Sequence, residues 1–364
     1  MFNFFYIKNK NKKNELNIKS NKKNENNITF INGIYKEHNL SNNIEIKIIN
    51  PNMYIPNIIK TFYNKNYIDK LSNIDLLNYI TIKNIVLLQI KKNTKLIKPL
   101  FITYETTEQA LNTNNTKIFI TIEKNTKLKL IETHLNNNNT IKSYNNVIIH
   151  IKINNNSKIK HYILNNSNNI SSNYLKYNIN INNNVKYNKT YLSCNGLTTK
   201  YNSKIIISGY NSNIKFKGLT APNKYQTHNI KYKIEHKKPY NKSNCIIRNL
   251  TKYKTNTKVF CVIKIYKNSF KTKSNIQIKG ILLTRSSVLK YKPQLFIKNK
   301  NIICTHSSTI GIFDKSTIWY MQTRGITKNT IIQLLIDSFT HTIIKNIPHS
   351  IKNIINFKHM NKND

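Results

Sequence analysis

The feature that most constrains this chain is a short polar turn that recurs between segments of alternating apolar and polar residues. Lys92-Asn93-Thr94-Lys95-Leu96 reappears as Lys124-Asn125-Thr126-Lys127-Leu128. Weaker versions stand at Asn156-Ser157-Lys158-Ile159, Asn184-Val185-Lys186-Tyr187 and Asn213-Ile214-Lys215-Phe216, then at Asn241-Lys242-Ser243 and Asn268-Ser269-Phe270. The spacing is roughly 27 to 32 residues, within the range of stacked structural repeats. Asparagine suits such turns because it tolerates left-handed backbone and bonds its own main chain.

Between the turns the period is two. Ile149, Ile151 and Ile153 alternate with His150 and Lys152, and Tyr177, Ile179 and Ile181 alternate with Lys176, Asn178 and Asn180. Period two puts one set on a core face and the other in solvent. Strand–turn units at fixed period, with no helical run between them, predict a β-helix or solenoid whose coils must stack to bury their apolar faces. A β-sandwich would show shorter, less regular turn spacing and more Gly and Pro.

The flanks read differently. Residues 1–28 form a basic, Asn-rich stretch expected to be a solvated tail. Residues 29–80 open with a hairpin, because Asn32-Gly33 supplies the positive φ angles of a tight turn. Mixed apolar spacing follows (Ile58, Ile59, Phe62, Ile68, Leu71, Leu76, Leu77), suggesting short helices or loops. The coil is expected over residues 81–313, a helical region over 314–350 and a tail over 351–364. Asp314 can cap a short helix over residues 316–324 that Gly325 stops, and Thr327 can cap a second. In the second helix Ile332, Leu335, Ile336, Phe339 and Ile343 form one apolar stripe, ended by Pro348. This helical cap is expected to close the solenoid and protect its last edge.

The formal net charge is +45, which attracts anions. The lysines are spread along the chain at polar positions, and arginine is nearly absent. Compositional drift, as in very AT-rich genomes, explains this better than nucleic-acid binding, whose other signatures are missing. The hydrophobic fraction of 39% with 22 Tyr and 14 Phe permits a core, so the Asn and Lys bias does not mean disorder throughout. Cys194, Cys245, Cys261 and Cys304 show no CxxC spacing, which argues against structural zinc and fits a reducing compartment. No apolar run reaches the roughly 18 residues of a membrane span. His228 and Glu235-His236 lack a neighbouring nucleophile with an oriented base, and no Gly-rich phosphate loop is present.

One stretch carries a resemblance. Lys292-Pro293-Gln294-Leu295, then Cys304-Thr305-His306-Ser307-Ser308-Thr309-Ile310-Gly311, then Phe313-Asp314, Ile318-Trp319-Tyr320-Met321 and Thr323-Arg324-Gly325-Ile326 resemble, in order, the most recognisable segment of the SufB/SufD family. Thr29-Phe30-Ile31-Asn32-Gly33 resembles its early hairpin, and His228, Glu235-His236, Pro239 and Ser243 echo a further region. SufB carries EHEAT before the first C-terminal helix and SufD carries CSHGAT, so Cys304 to Thr309 sides with the SufD branch. Departures are Ser307 and Ser308 for Gly and Ala, Val259-Phe260-Cys261-Val262 for VFNG, and a shortened N-terminal helical region. These suggest a fast-drifting copy, as in a reduced endosymbiont or an organelle.

The resemblance implies a mainly β fold, a right-handed parallel β-helix with a small C-terminal helical cap. It implies a non-enzymatic scaffold for iron–sulfur cluster assembly, partnered by a SufB-like subunit and a SufC-like ATPase that brings the ATP. No firmly bound cofactor is implied, only a transient cluster at the SufB interface. His306, an imidazole fit for iron, would face that cluster, with Cys304 on the same strand face. Ile318, Tyr320, Arg324, Gly325, Leu335 and Phe339 fall in the region expected to meet SufC. Cytoplasm (bacterial, as in an endosymbiont) or plastid stroma would fit, with no membrane partner and with nucleic acid the less expected partner. The alternatives are a SufB-like paralogue that holds sulfur itself on Cys304, and a basic nucleic-acid-binding protein.

Overall fold

The computed structural model describes residues 26–50, 72–107, 113–136, 142–345, 347–348 and 351. Successive strands alternate between two sheets, of ten and nine strands, so each coil lays one strand on each sheet. From Ile85–Ile90 to Ile302–Gly311 every pairing is parallel. This is the predicted β-helix, a solenoid of flattened coils.

Parallel register stacks each inward side chain on its equivalent one coil away. Val86, Ile118, Ile149, Tyr177, Ser203, Tyr232 and Cys261 make one such column. Burial of each large apolar member contributes about 1.5–3 kcal/mol, and no coil realises that alone. The alternation is met on the inward side, where Ile149, Ile151, Ile153, Tyr177, Ile179 and Ile181 are all buried. It fails at His150, which is buried on the outward side against Phe119, the rings stacked 4.8 Å apart.

The coil turns hold the register. Asn93, Asn125, Asn156, Asn184 and Asn211 all take positive φ, between 51° and 61° across the class that includes Asn32. Their amides bond along the stack, Asn125 to Asn93 at 2.9 Å, Asn184 to Asn156 at 3.2 Å and Asn211 to Asn184 at 3.0 Å. Three of the later sequence matches are displaced. Register places Asn211, Tyr240 and Lys271 at the left-handed position, not Asn213, Asn241 and Asn268. Where asparagine gives out, Tyr240 packs edge-on against Phe270, 5.4 Å away.

At the N-terminal end Asn26–Ile31 and Ile34–Asn39 form the expected hairpin through Asn32 and Gly33, with φ of 51° and 78°. The hairpin joins the first coil in parallel, Asn26–Ile31 against Leu100–Thr106, with Ile34–Asn39 antiparallel outside it, and Ile44–Ile49 pairs antiparallel with Ile85–Ile90. The expected tail lies outside the described residues up to residue 25, and Asn26–Ile28 already belong to the first strand. Helix α1 (Asn73–Thr81) starts on a capping box of Ser72 and Asp75. It buries Asp75 and Asn78, not Leu76 and Leu77, which are exposed. Asn78 and Asn146 exchange bonds with Asn146 O and Ile74 O at 2.9 and 3.0 Å. Ile58, Ile59, Phe62, Ile68 and Leu71 lie outside the described residues.

Helix α2 (Lys315–Thr323) is capped by Asp314, and α3 (Lys328–Ile344) by Thr327, both as the sequence predicts. The expectation that they close the last edge is not met. Ile336 and Ile343 of α3 pack with Leu164, Leu192, Leu219 and Leu250, which point outward from the ten-stranded sheet. The helix therefore lies along the flank, because that face of the coils carries the matching apolar stripe. The final strand, Ile302–Gly311, stays exposed.

If the left-handed asparagines hold the coil, Asn184→Ala will cost about 1–2 kcal/mol, because it keeps a β-carbon at positive φ and loses the amide bonds to Asn156 and Asn211 that offset it. Asn184→Gly should cost clearly less. Urea unfolding of both variants measures this, and equal costs would refute it.

Candidate functional site

The solenoid has two unlike ends. The C-terminal one leaves Ile302–Gly311 paired on one side only, to Thr272–Leu282. Val288–Ile297 is likewise the last strand of its sheet. Pro293 lies in that edge strand, where a missing N–H is tolerated. Gly280 allows the last coil to close, since a β-carbon there would stand 2.0 Å from the Tyr291 hydroxyl.

Cys304 and His306 share the inward phase, opposite Ser274 and Ile276. Both of those residues are buried, yet His306 is exposed because, among the described residues, no further coil lies above it. The same-face expectation thus holds, and the imidazole is presented at the open end. Cys304 is half-buried beside the main core. Burial raises its thiol above the usual range, against a hydrogen bond with Ser274 that lowers it. Around them Phe296, Ile297, Ile303 and Ile310 are exposed. Among the described residues no three His, Cys, Asp or Glu gather in one place. The open end therefore offers this pair, and a complete metal set requires ligands from elsewhere.

The other predicted residues divide. Helix α2 buries none of its side chains, and Trp319 and Tyr320 are 67% and 55% exposed. Arg324 donates to the Tyr320 hydroxyl at 3.1 Å, and Gly325 turns the chain at φ 81°. Ile318 and Leu335 are part-exposed. Phe339 is turned toward the solenoid, among the apolar groups of the flank and 5.6 Å from the Arg248 guanidinium. Its packing there helps seat α3 on the flank.

The rejected dyad is also resolved. Adjacent strand residues point to opposite faces. Glu235 faces outward to Lys233 and Lys204, at 2.9 and 3.6 Å. His236 faces inward, 2.9 Å from the Ser243 hydroxyl.

Sequence reasoning missed a polar cluster inside the coil. Glu132 receives bonds from His161 Nε2 at 2.7 Å and the Tyr177 hydroxyl at 2.6 Å. The Tyr187 hydroxyl stands 2.8 Å from His161 Nδ1. Lys189 donates to Ser203 at 3.1 Å with its Nζ 3.8 Å over the Tyr177 ring, and burial pushes it well below the usual lysine range. Burial alone would raise the Glu132 carboxyl, but His161 and Tyr177 outweigh it and hold it below the usual range. Burial lowers His161 despite Glu132. A carboxylate beside a neutral imidazole satisfies both directions, with Nε2–H donating to Glu132 and Nδ1 accepting from Tyr187. The signal was a polar residue in the inward phase: Glu132 follows Leu128 and Leu130 at period two. Further along the coil Cys245 and Cys261, on successive strands, bring their sulfurs to 3.7 Å in the core.

Comparison with known proteins gives the family. A family model described as SUF system FeS cluster assembly, SufBD core domain, matches residues 103–339. The iron–sulfur cluster assembly protein SufD of Escherichia coli is 24% identical over 144 residues, 40% of this chain and 34% of that protein. The SufBD family protein ycf24 of Porphyra purpurea is 24% identical over 152 residues, 42% and 31% of the two chains. Protein ABCI7, chloroplastic, of Arabidopsis thaliana is 19% identical over 274 residues, 73% and 58% of the two. The matched stretches span about a third of the E. coli and Porphyra proteins. Among the described residues no helix is long and apolar enough to cross a membrane.

The buried histidines fix the sign of a pH dependence. Burial pushes His134, His228 and His236 down to about 4. Between that value and the ordinary 6.5 the unfolded chain binds protons that the folded chain refuses, so stability falls as pH falls. The slope is up to about 1.4 kcal/mol per pH unit for each histidine, about 4 for the three. Urea midpoints should drop steadily from pH 7 to pH 5, and a flat or rising midpoint would show that these rings are not buried neutral.

Proposed function

We propose that this chain, which belongs to the SufBD family of iron–sulfur cluster assembly proteins, is a SufD-like scaffold subunit whose open solenoid end docks a SufB-like subunit. The observation that carries this is the free edge of Ile302–Gly311 with His306 exposed on it. An unpaired parallel edge is a template for another strand. The exposed Phe296, Ile297, Ile303 and Ile310 supply apolar contact beside it. The nascent cluster is cargo at that junction. His306 would lend one imidazole ligand, and the partner the rest.

The state of Cys304 supports the SufD-like role over a SufB-like one. A thiol raised by burial is a poor nucleophile and a poor sulfur carrier at neutral pH. The exposed face of α2, with Ile318, Tyr320, Arg324 and Gly325, is the proposed seat of a SufC-like ATPase, which supplies the ATP chemistry. Plastid and bacterial relatives make a bacterial cytoplasm or plastid stroma the proposed setting.

Co-expression with the SufB-like and SufC-like chains of the same genome tests this. The tagged chain should retain both. Ser307→Pro, placed in the edge strand, should lose the SufB-like partner by tenfold or more while keeping the SufC-like one. His306→Ala should keep both partners and yield far less cluster by visible absorbance, whereas Cys304→Ser should be tolerated. Failure of the unaltered chain to retain either partner overturns the reading. Loss of cluster with Cys304→Ser alone would favour the SufB-like alternative.

A further inference from the structure

Lysines scattered along the sequence are brought into line by the coil register. Lys95 pairs with Lys127, Lys127 with Lys158, Lys158 with Lys186, Lys186 with Asn213, Asn213 with Lys242, and Lys242 with Lys273. Six of these seven rungs carry lysine, and all six lysines are exposed. Strands in a sheet lie about 4.8 Å apart, so the row runs straight for about 29 Å. Two residues further along each strand a second row holds Lys129, Lys160 and Lys215, with Asn188 and Asn244 between and after them. Among the described residues no ion pair involves any lysine of either row. From residue 133 to residue 313 the one carboxylate in the sequence is Glu235. It lies on the other sheet, engaged by Lys204 and Lys233.

Like charges directly opposite on adjacent strands destabilise a sheet. A repeated, unneutralised row is therefore a standing repulsion that a linear polyanion would relieve. We propose that this double row binds the phosphodiester backbone of a nucleic acid, without reading its bases. The stripe itself holds lysine and asparagine, and the exposed rings of Tyr210, Tyr240 and Phe270 lie in the turns beside it, so no aromatic anchor stands at its centre. Protein interfaces need such an apolar centre, whereas a phosphate backbone is held by charge alone. The near-absence of arginine, the residue that reads guanine edges, fits contact without sequence preference. The proposal is independent of the open-end reading, since the row lies on the outer face of the ten-stranded sheet.

The test is fluorescence anisotropy of the full chain with a mixed-sequence single-stranded oligonucleotide, across a salt series. Binding should weaken linearly in log salt. The triple substitution Lys127→Gln, Lys158→Gln, Lys186→Gln should flatten that slope by about 2 and raise Kd about tenfold at low salt. Lys231→Gln, Lys258→Gln, Lys290→Gln removes equal charge from the other sheet and should change Kd less than threefold. The row variant should also unfold at a urea midpoint no lower than the parent, which separates lost binding from lost fold. Equal losses in the two triple variants would show diffuse charge only and overturn the proposal. So would polyglutamate competing as well as the oligonucleotide at matched charge, which would assign the row to an acidic protein.

Discussion

Everything in this molecule depends on keeping each coil in parallel register with the next. A solenoid has no core until coils stack, and period-two strands that slip by one residue exchange their inner and outer faces. The turn asparagines prevent that slip. Each must occupy the left-handed region, and each amide bonds to its equivalent on the neighbouring coil. The inward isoleucine columns then supply the energy that the turns direct.

A stack so built must end twice, and the two ends are handled differently. The N-terminal end is covered by antiparallel strands. Among the described residues nothing covers the C-terminal end, although two helices follow it in sequence. Helix α3 is drawn to the flank instead, where outward leucines and Arg248 await its stripe. An apolar flank thus decides the fate of the helices, and the last strand is left with an unpaired edge and an inward-phase imidazole in solvent. A residue whose neighbours one coil down are sealed in the core becomes accessible purely by position.

The period of the turns and the alternation of the strands made the coil legible from sequence, and the Asp314 and Thr327 caps made the helices so. Four things were hidden for physical reasons. Tyr240 and Lys271 take the left-handed turn position without asparagine, so composition misled the alignment of the later coils. Phe339 and Leu335 share one stripe, yet only contact with the flank distinguishes the seated residue. The pairing of His161 with Glu132 needed the register, because 29 residues separate them. The Cys304 and His306 pair was legible as a same-face arrangement, but whether that face was sealed depended on the absence of another coil.

Register also acts on residues it was not selected to place. Whatever occupies the first outward position of one strand is set beside the first outward position of the next, about 4.8 Å away. In a globular fold a lysine-rich composition would spread over all faces and average out. In a solenoid with nearly constant coil length it condenses into rows, so a bias that is statistical along the chain becomes directional on the surface. The mean charge of such a protein therefore says little about its field. The coil length says more, because it decides which charges add.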